Sequence, residues 1–314
     1  MKIVIFKPKS GFSPKQQKQI ASLGKVVYTK TNQELPMKKL LKIAKGAEII
    51  GVDPDPLGGF EKAKEKLTKI MESLPKLKGV CLSTTSFGWI DLDYCSKRGI
   101  TVSNVPGYSR ESVAEHALAL LLCLAKGIIT SDRKTQRGKY KLEMGFELKG
   151  KTLGIIGLGN IGSRMAELGQ GIGMKVIAYN RSPKKMKGVQ MKSLNELLKR
   201  SDTISLHTTH EESNDEMVNE KMLSKMKDCV IIVNTVDREI VDESAMAEAL
   251  KSGKVRAYAY EGEDLTRTPL AKIENAIGVK AFAYYTKEAL DNLYEIWVGN
   301  LVALRKSKPR NLVS

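Results

Sequence analysis

Gly157-Leu158-Gly159-Asn160-Ile161-Gly162 follows directly on the apolar run Leu153 to Ile156 and opens a stretch with helical periodicity. Three glycines at this spacing constrain the chain more than any other feature. The first permits a tight turn out of a strand, the second lets backbone approach a pyrophosphate, and the third lets a helix pack closely on the strand. The helix N-terminus then offers free N–H groups to phosphate oxygens. A second apolar run, Lys175 to Tyr179, comes at the distance expected for a strand-helix-strand unit. The pattern predicts a dinucleotide fold, with Gly157, Gly159, Asn160, Ile161 and Gly162 around the pyrophosphate.

The tip of the second strand selects the cofactor, because an acidic side chain there takes the ribose hydroxyls and repels a 2′-phosphate. This chain carries Asn180, followed by Arg181, Ser182, Lys184 and Lys185. Cationic and hydroxyl donors suit a phosphate on the ribose. NADP(H) is therefore the favoured cofactor and NAD(H) the second choice. A solvated basic turn in a lysine-rich chain is the competing reading of the same residues.

Strands alternate with helices almost from end to end, which predicts parallel sheets covered on both faces. Early strands are expected at Lys2 to Phe6, Lys25 to Tyr28, Ala47 to Val52, Gly79 to Leu82 and Ile100 to Ser103. Helices are expected at Leu35 to Lys45, Glu61 to Glu72 and Asp91 to Lys97, with Ser13 capping another that starts at Pro14. Beyond Gly150, strands are expected at Thr203 to His207, Val230 to Val233, Val255 to Tyr260 and Ile277 to Phe282, and a last helix at Lys287 to Lys306. The 314 residues suffice for two cores. A nucleotide unit in mid-chain, flanked by strands before and one helix after, predicts two Rossmann-like doubly wound α/β domains with the nucleotide-binding one inserted in the other. The expected division is 1–101 plus 287–314 around 102–286, with ligands in the cleft of such a protein. Glu111 to Lys126 is apolar on more than one side, so it is expected to bury itself in its own domain or against a second subunit.

The net charge of +17 raises the question of a polyanionic partner. The lysines are scattered over helix faces and interleave with no aromatic stripe, so nucleic acid is not expected. No apolar stretch is long enough to span a bilayer, and Met1 to Phe6 is strand-like, not a leader. The expectation is a cytoplasmic protein without a membrane role. Cys81, Cys95, Cys123 and Cys229 form no CxxC pair and are expected as buried reduced thiols, with no metal site. His116 is expected as a satisfied helix residue, since no second ligand stands at metal spacing.

Further segments carry a resemblance. Asn104-Val105-Pro106-Gly107-Tyr108 with Val113-Ala114-Glu115-His116, the fingerprint, Ser205-Leu206-His207, Asn234-Thr235 through Val241-Asp242, and Ala247 to Lys254 together resemble the D-isomer-specific 2-hydroxyacid dehydrogenase family over essentially the whole length. The resemblance implies hydride transfer between a nicotinamide cofactor and a small 2-oxo or 2-hydroxy acid, in a homodimer paired through the cofactor domain. It also assigns His207, Thr208, Thr235, Val236 and Glu261 to the cofactor, beside Asn180, Arg181 and Ser182.

That reaction needs an arginine to hold the substrate carboxylate, a histidine to pass a proton, and an acid to orient the histidine. In the family the arginine stands in Asn-Thr-Ser-Arg-Gly; here Asn234-Thr235-Val236-Asp237-Arg238 puts Asp237 at its place. The Thr-Pro-His of the family matches Val279-Lys280-Ala281, and the glutamate matches Thr266 or Thr268. The substrate loop Gly-x-Asp-x-Ile-Asp becomes Ser86-Phe87-Gly88-Trp89-Ile90-Asp91. Two schemes keep an enzyme. Arg238 reaches the site from one position along while Lys280, Tyr284 or Tyr285 donates a proton, or Asp237 and Glu261 receive a cationic or neutral substrate. Against both stands a pairing of Arg238 with a neighbouring acid, Lys280 in solvent, and Tyr258, Tyr260, Tyr284 and Tyr285 as core or cleft wall. The alternative of another class is a non-catalytic dinucleotide-responsive module acting through a partner.

Overall fold

The computed structural model describes residues 1–139, 142 and 144–313. The chain forms two compact units, Met1–Tyr108 with Lys287–Ser314, and Ser109–Thr286.

Unit 1 begins with β1 (Lys2–Phe6), α1 (Pro14–Ala21), β2 (Lys25–Tyr28), α2 (Met37–Ala44), β3 (Ile49–Val52), α3 (Phe60–Glu72), β4 (Gly79–Leu82), α4 (Leu92–Lys97) and β5 (Thr101–Ser103). All strands run parallel in the order β2-β1-β3-β4-β5, the flavodoxin-like arrangement. The central strands β3 and β4 are buried on both faces, which is why they read as unbroken apolar runs. Ser13 caps α1 as expected, closing a reciprocal box with Gln16. Because β5 pairs with β4, this unit keeps Thr101–Ser103 and extends to Tyr108, past the crossing expected near Thr101.

Unit 2 holds α5 (Arg110–Lys126), α6 (Ile128–Gln136), β6 (Thr152–Ile156), α7 (Asn160–Gly171), β7 (Lys175–Tyr179), β8 (Val189–Met191), α8 (Leu194–Arg200), β9 (Thr203–Leu206), α9 (Glu220–Ser224), β10 (Val230–Asn234), α10 (Glu243–Lys251), β11 (Val255–Glu261) and β12 (Ala276–Val279). These strands form one parallel sheet, β12-β11-β10-β9-β6-β7-β8. Strand order reverses between β6 and β9, and a crevice for ligands opens beyond the carboxyl ends of strands at such a point. Apolar layers cover both faces, and Ala114, Ala117, Leu121 and Leu124 of α5 belong to one of them. Helix α11 (Lys287–Arg305) returns to unit 1, where Trp297 Nε1 donates to the Cys81 carbonyl at 2.8 Å and Asn300 Nδ2 to that of Asn104 at 2.7 Å.

Several expectations need correction. The strand expected at Ile277 to Phe282 stops at Val279, because the amides of Phe282 and Ala283 turn away from the sheet to the Glu261 carboxylate. The four cysteines are free, but only Cys81 and Cys95 are buried. Cys229 is exposed, since it occupies a left-handed turn at φ 60° just before β10. The mainly polar α6, which starts at the left-handed Gly127, and the short β8 carry too weak a periodicity to be read from sequence. No single helix among the described residues is long and apolar enough to cross a membrane.

Candidate functional site at the carboxyl edge of the cofactor sheet

The glycine fingerprint lies at the reversal of strand order. Gly157 leaves β6 at φ 95°, its N–H bonded to the Tyr179 carbonyl, and a Cβ there would come within 2.6 Å of the His207 backbone. A Cβ on Gly162 would run into the Gly157 carbonyl. Protein packing therefore demands glycine at both positions. Gly159 differs: a Cβ on it would meet nothing within 4 Å, and it precedes α7 without a side-chain cap. Open space in front of an uncapped helix N-terminus is what a pyrophosphate occupies. The residues thus fit a dinucleotide, with Asn160 and Ile161 in the first turn.

At the tip of β7, Asn180 Oδ1 accepts from Leu158 N–H at 2.9 Å while its Nδ2 donates to the Ser182 carbonyl at 2.8 Å. Asn180 thereby locks the fingerprint loop to the turn. Lys184 Nζ donates to the Leu158 carbonyl at 2.5 Å. Arg181 is exposed, and its two terminal nitrogens lie 3.1 and 3.3 Å from the carboxylate oxygens of Glu211 in the loop after β9. In the same loop His207 Nε2 lies 2.8 Å from Ser205 Oγ, and burial pushes the imidazole down to about 4, so it is neutral at ordinary pH. Thr208, next in the chain, abuts the space a Gly157 side chain would need.

The other end of the sheet edge holds a cavity of about 490 Å³, lined from the loops after β10, β11 and β12. Asp237, Glu239, Glu261, Glu263 and Asp264 line it, against one cation, Arg238. Asp237 begins a 3₁₀ turn that it does not cap, and its side chain is 67% exposed. His210 faces it, with Nδ1 3.8 Å from Asp237 Oδ2 and Nε2 3.1 Å from Asp215 Oδ1. Arg238 is engaged elsewhere: Nε and Nη2 contact Glu243 Oε1 at 2.7 and 2.6 Å, and Nη1 donates to the Asp264 carbonyl. Asn234 shapes this loop by accepting from Val236 N–H at 2.9 Å and reaching the Tyr258 hydroxyl. Thr235 also lines the cavity, and its hydroxyl is buried without a hydrogen-bond partner.

Glu261 ends β11 and accepts from the amides of Phe282 and Ala283 at 2.9 Å each. Its Oε1 is 3.6 Å from His116 Nε2. That nitrogen has no hydrogen bond, so His116 is not the satisfied helix residue expected from sequence. Burial lowers its pKa and the Glu261 charge opposes that effect. No group of three or more metal-binding side chains occurs among the described residues.

Of the catalytic candidates, Asp237, Arg238, Glu261 and Tyr284 line the cavity, and Lys280 and Tyr285 do not. Lys280 is exposed beside Glu263 at 3.6 Å, while Tyr258 and Tyr260 stack at 5.1 Å in the core. Tyr284 forms part of the cavity wall at 42% exposed, and Tyr285 is 67% exposed. Sequence reasoning missed His210 and Glu211. Both lie in the loop that follows Ser205-Leu206-His207, and only the folded loop reveals what they face.

A model of the D-isomer specific 2-hydroxyacid dehydrogenase NAD-binding domain matches residues 118–279. The glyoxylate reductase of Thermococcus litoralis is 35% identical over 263 residues, covering 78% of this chain and 80% of that protein. The hydroxypyruvate reductase of Thermotoga maritima is 35% identical over 268 residues, covering 82% and 85%. Among solved structures, an acyclic imino acid reductase in complex with NADPH and D-Arg superposes over 100% of both chains with a TM-score of 0.84 at 26% identity.

Proposed function

The chain belongs to the D-isomer-specific 2-hydroxyacid dehydrogenase family, and on that premise we propose that it is an NAD(P)-dependent reductase of a cationic carbon–nitrogen double bond, an iminium, in place of a 2-oxo acid. Asp237 carries this reading. A 2-oxo acid needs a cation for its carboxylate and a proton donor for its oxygen; an iminium brings its own positive charge and its own proton. A site that has exchanged arginine for aspartate and lost the donor histidine matches the second substrate. Unit charges at ~4 Å interact by about 1–4 kcal/mol between bulk water and a protein surface, so reversing one charge reverses the preference.

The cofactor supplies a hydride. Around it Gly157, Gly159, Asn160, Ile161 and Gly162 would receive the pyrophosphate, and Arg181 and Ser182 a ribose phosphate, which favours NADP(H) with NAD(H) as second choice. His207, Thr208, Thr235, Val236 and Glu261 line the remainder. Asp237 attracts the iminium and holds its N–H, Glu261 extends the negative field, and Glu243 keeps Arg238 from neutralising it. The relative that binds NADPH and D-Arg is an imino acid reductase, which supports a substrate with a basic nitrogen. The reading includes a homodimer through unit 2, where Leu122, Ile128, Leu142 and Met144 are exposed apolar residues.

Purified protein is assayed for NADPH consumption with the carboxylate-free carbonyls acetone, propionaldehyde and cyclohexanone, each with and without ammonium or methylamine. At least tenfold faster consumption in the presence of the amine is expected, with loss in Asp237→Asn. Equal rates without amine overturn the iminium reading. A cofactor fluorescence response without any consumption would instead make the protein a dinucleotide-responsive binding module.

A further inference from the structure

We infer that Glu211 sets the cofactor preference of this protein by competing with a ribose 2′-phosphate for Arg181. The inference rests on the cofactor reading above and on no assumption about substrate. The tip of β7 lacks the carboxylate that usually takes the ribose hydroxyls; Asn180, a neutral amide bonded to Leu158 and Ser182, brings no negative charge in its place. A carboxylate arrives from another direction. The loop after β9 brings Glu211 across to Arg181, Nη1 to Oε2 at 3.1 Å and Nη2 to Oε1 at 3.3 Å, a two-point match of guanidinium and carboxylate.

Glu211 is held for that contact. Its own N–H donates to Asn214 Oδ1 at 2.8 Å, and Asn214 Nδ2 donates to the Thr209 carbonyl at 2.8 Å, so the turn that carries it is tied at both ends. The same fork on Arg181 is what a phosphate would use. A 2′-phosphate that takes the Nη1–Nη2 edge displaces Glu211, and one that takes the Nε edge stands beside its carboxylate, whereas a 2′-hydroxyl leaves the pair intact. The pair is exposed, with side chains 80% and 45% accessible, so the penalty is several-fold and not many orders of magnitude.

The test isolates the adenosine end. Binding of 2′,5′-ADP and of 5′-AMP is measured by titration calorimetry at fixed low salt for the full-length wild type, Glu211→Gln and Arg181→Ala, with thermal melting to verify folding. Glu211→Gln is expected to tighten 2′,5′-ADP about fivefold and to leave 5′-AMP within twofold. Arg181→Ala is expected to weaken 2′,5′-ADP at least tenfold and to leave 5′-AMP within twofold. An unchanged 2′,5′-ADP affinity in Glu211→Gln, or equal changes for both nucleotides, overturns the competition. Absence of binding by both nucleotides to all three proteins overturns it together with the cofactor reading, while lack of turnover on any iminium touches neither.

Discussion

Nδ1 of His210 lies 3.8 Å from Oδ2 of Asp237, and the opposite ring nitrogen lies 3.1 Å from Asp215. The first distance is beyond a direct hydrogen bond, so His210 acts on Asp237 by standing against its carboxylate. Asp215 fixes the ring so that this edge faces the cavity carboxylate.

Removing the imidazole should free Asp237 to rotate away from the cavity. For His210→Ala the expectation is a rise in KM for the iminium of about fivefold, with kcat and the cofactor Kd each within twofold. His210→Asn, which keeps a donor near the Nδ1 position, should recover most of the KM. Steady-state kinetics over the two variants decides it. A kcat that falls in step with kcat/KM would give His210 a part in the chemical step instead.

The three fingerprint glycines should respond differently to one added methyl. At Gly157 the backbone stands at φ 95° and the methyl would come within 2.6 Å of His207. Gly157→Ala should lower stability by about 2–4 kcal/mol, as strained backbone and overpacking each cost about 1–3 kcal/mol. At Gly159 φ is −74° and the methyl meets nothing within 4 Å. Gly159→Ala should leave stability within about 0.5 kcal/mol, the usual range for a surface change, yet weaken NADPH at least tenfold. Urea unfolding beside fluorescence titration separates the two. A Gly159→Ala protein that binds as tightly as wild type would remove the pyrophosphate from this position.

His207 makes stability fall in mild acid. Its folded pKa is pushed down by burial from 6.5 to about 4, so the unfolded chain takes up a proton first as pH drops. The stability His207 forgoes is nil above pH ~7, grows as pH falls through ~6.5, and levels off near pH 4 at up to about 3 kcal/mol. His116 is shifted in the same direction, so wild type alone does not isolate one residue. Comparing wild type with His207→Gln does: between pH 7.5 and 5 the wild type should lose about 2 kcal/mol more than the variant. Parallel pH profiles for the two proteins would mean that His207 does not titrate differently on unfolding.

The sheets and the glycine fingerprint were legible because both are local. Apolar runs, Ser13 with Gln16, and glycines whose spacing answers one backbone problem each leave their mark within a few residues. The reactive end was legible only as a set of departures. Asp237 at an arginine position can be read in sequence, but the pairing of Arg238 with Glu243 and the approach of His210 depend on how two loops fold. Glu211 was invisible for the same reason, since 30 residues separate it from Arg181. Burial also hid His116, because periodicity places it on α5 and does not say that Glu261 stands opposite.

Unit 1 contains one ion pair whose removal should be felt strongly. Lys7, directly after β1, puts Nζ 2.8 Å from Oδ2 of Asp53, directly after β3, and Ser83, directly after β4, donates to the same oxygen at 3.2 Å. Lys7 and Asp53 are 6% and 8% exposed. Breaking such a pair leaves an uncompensated buried charge and costs about 3–5 kcal/mol, whereas replacing both partners by apolar residues is often neutral. Lys7→Met should therefore destabilise by about 3–5 kcal/mol, and adding Asp53→Leu should restore most of the loss. The cycle is read by chemical denaturation at pH 7. Additive losses in the double variant would show that the two charges do not depend on each other, and that Ser83 and solvent already satisfy Asp53.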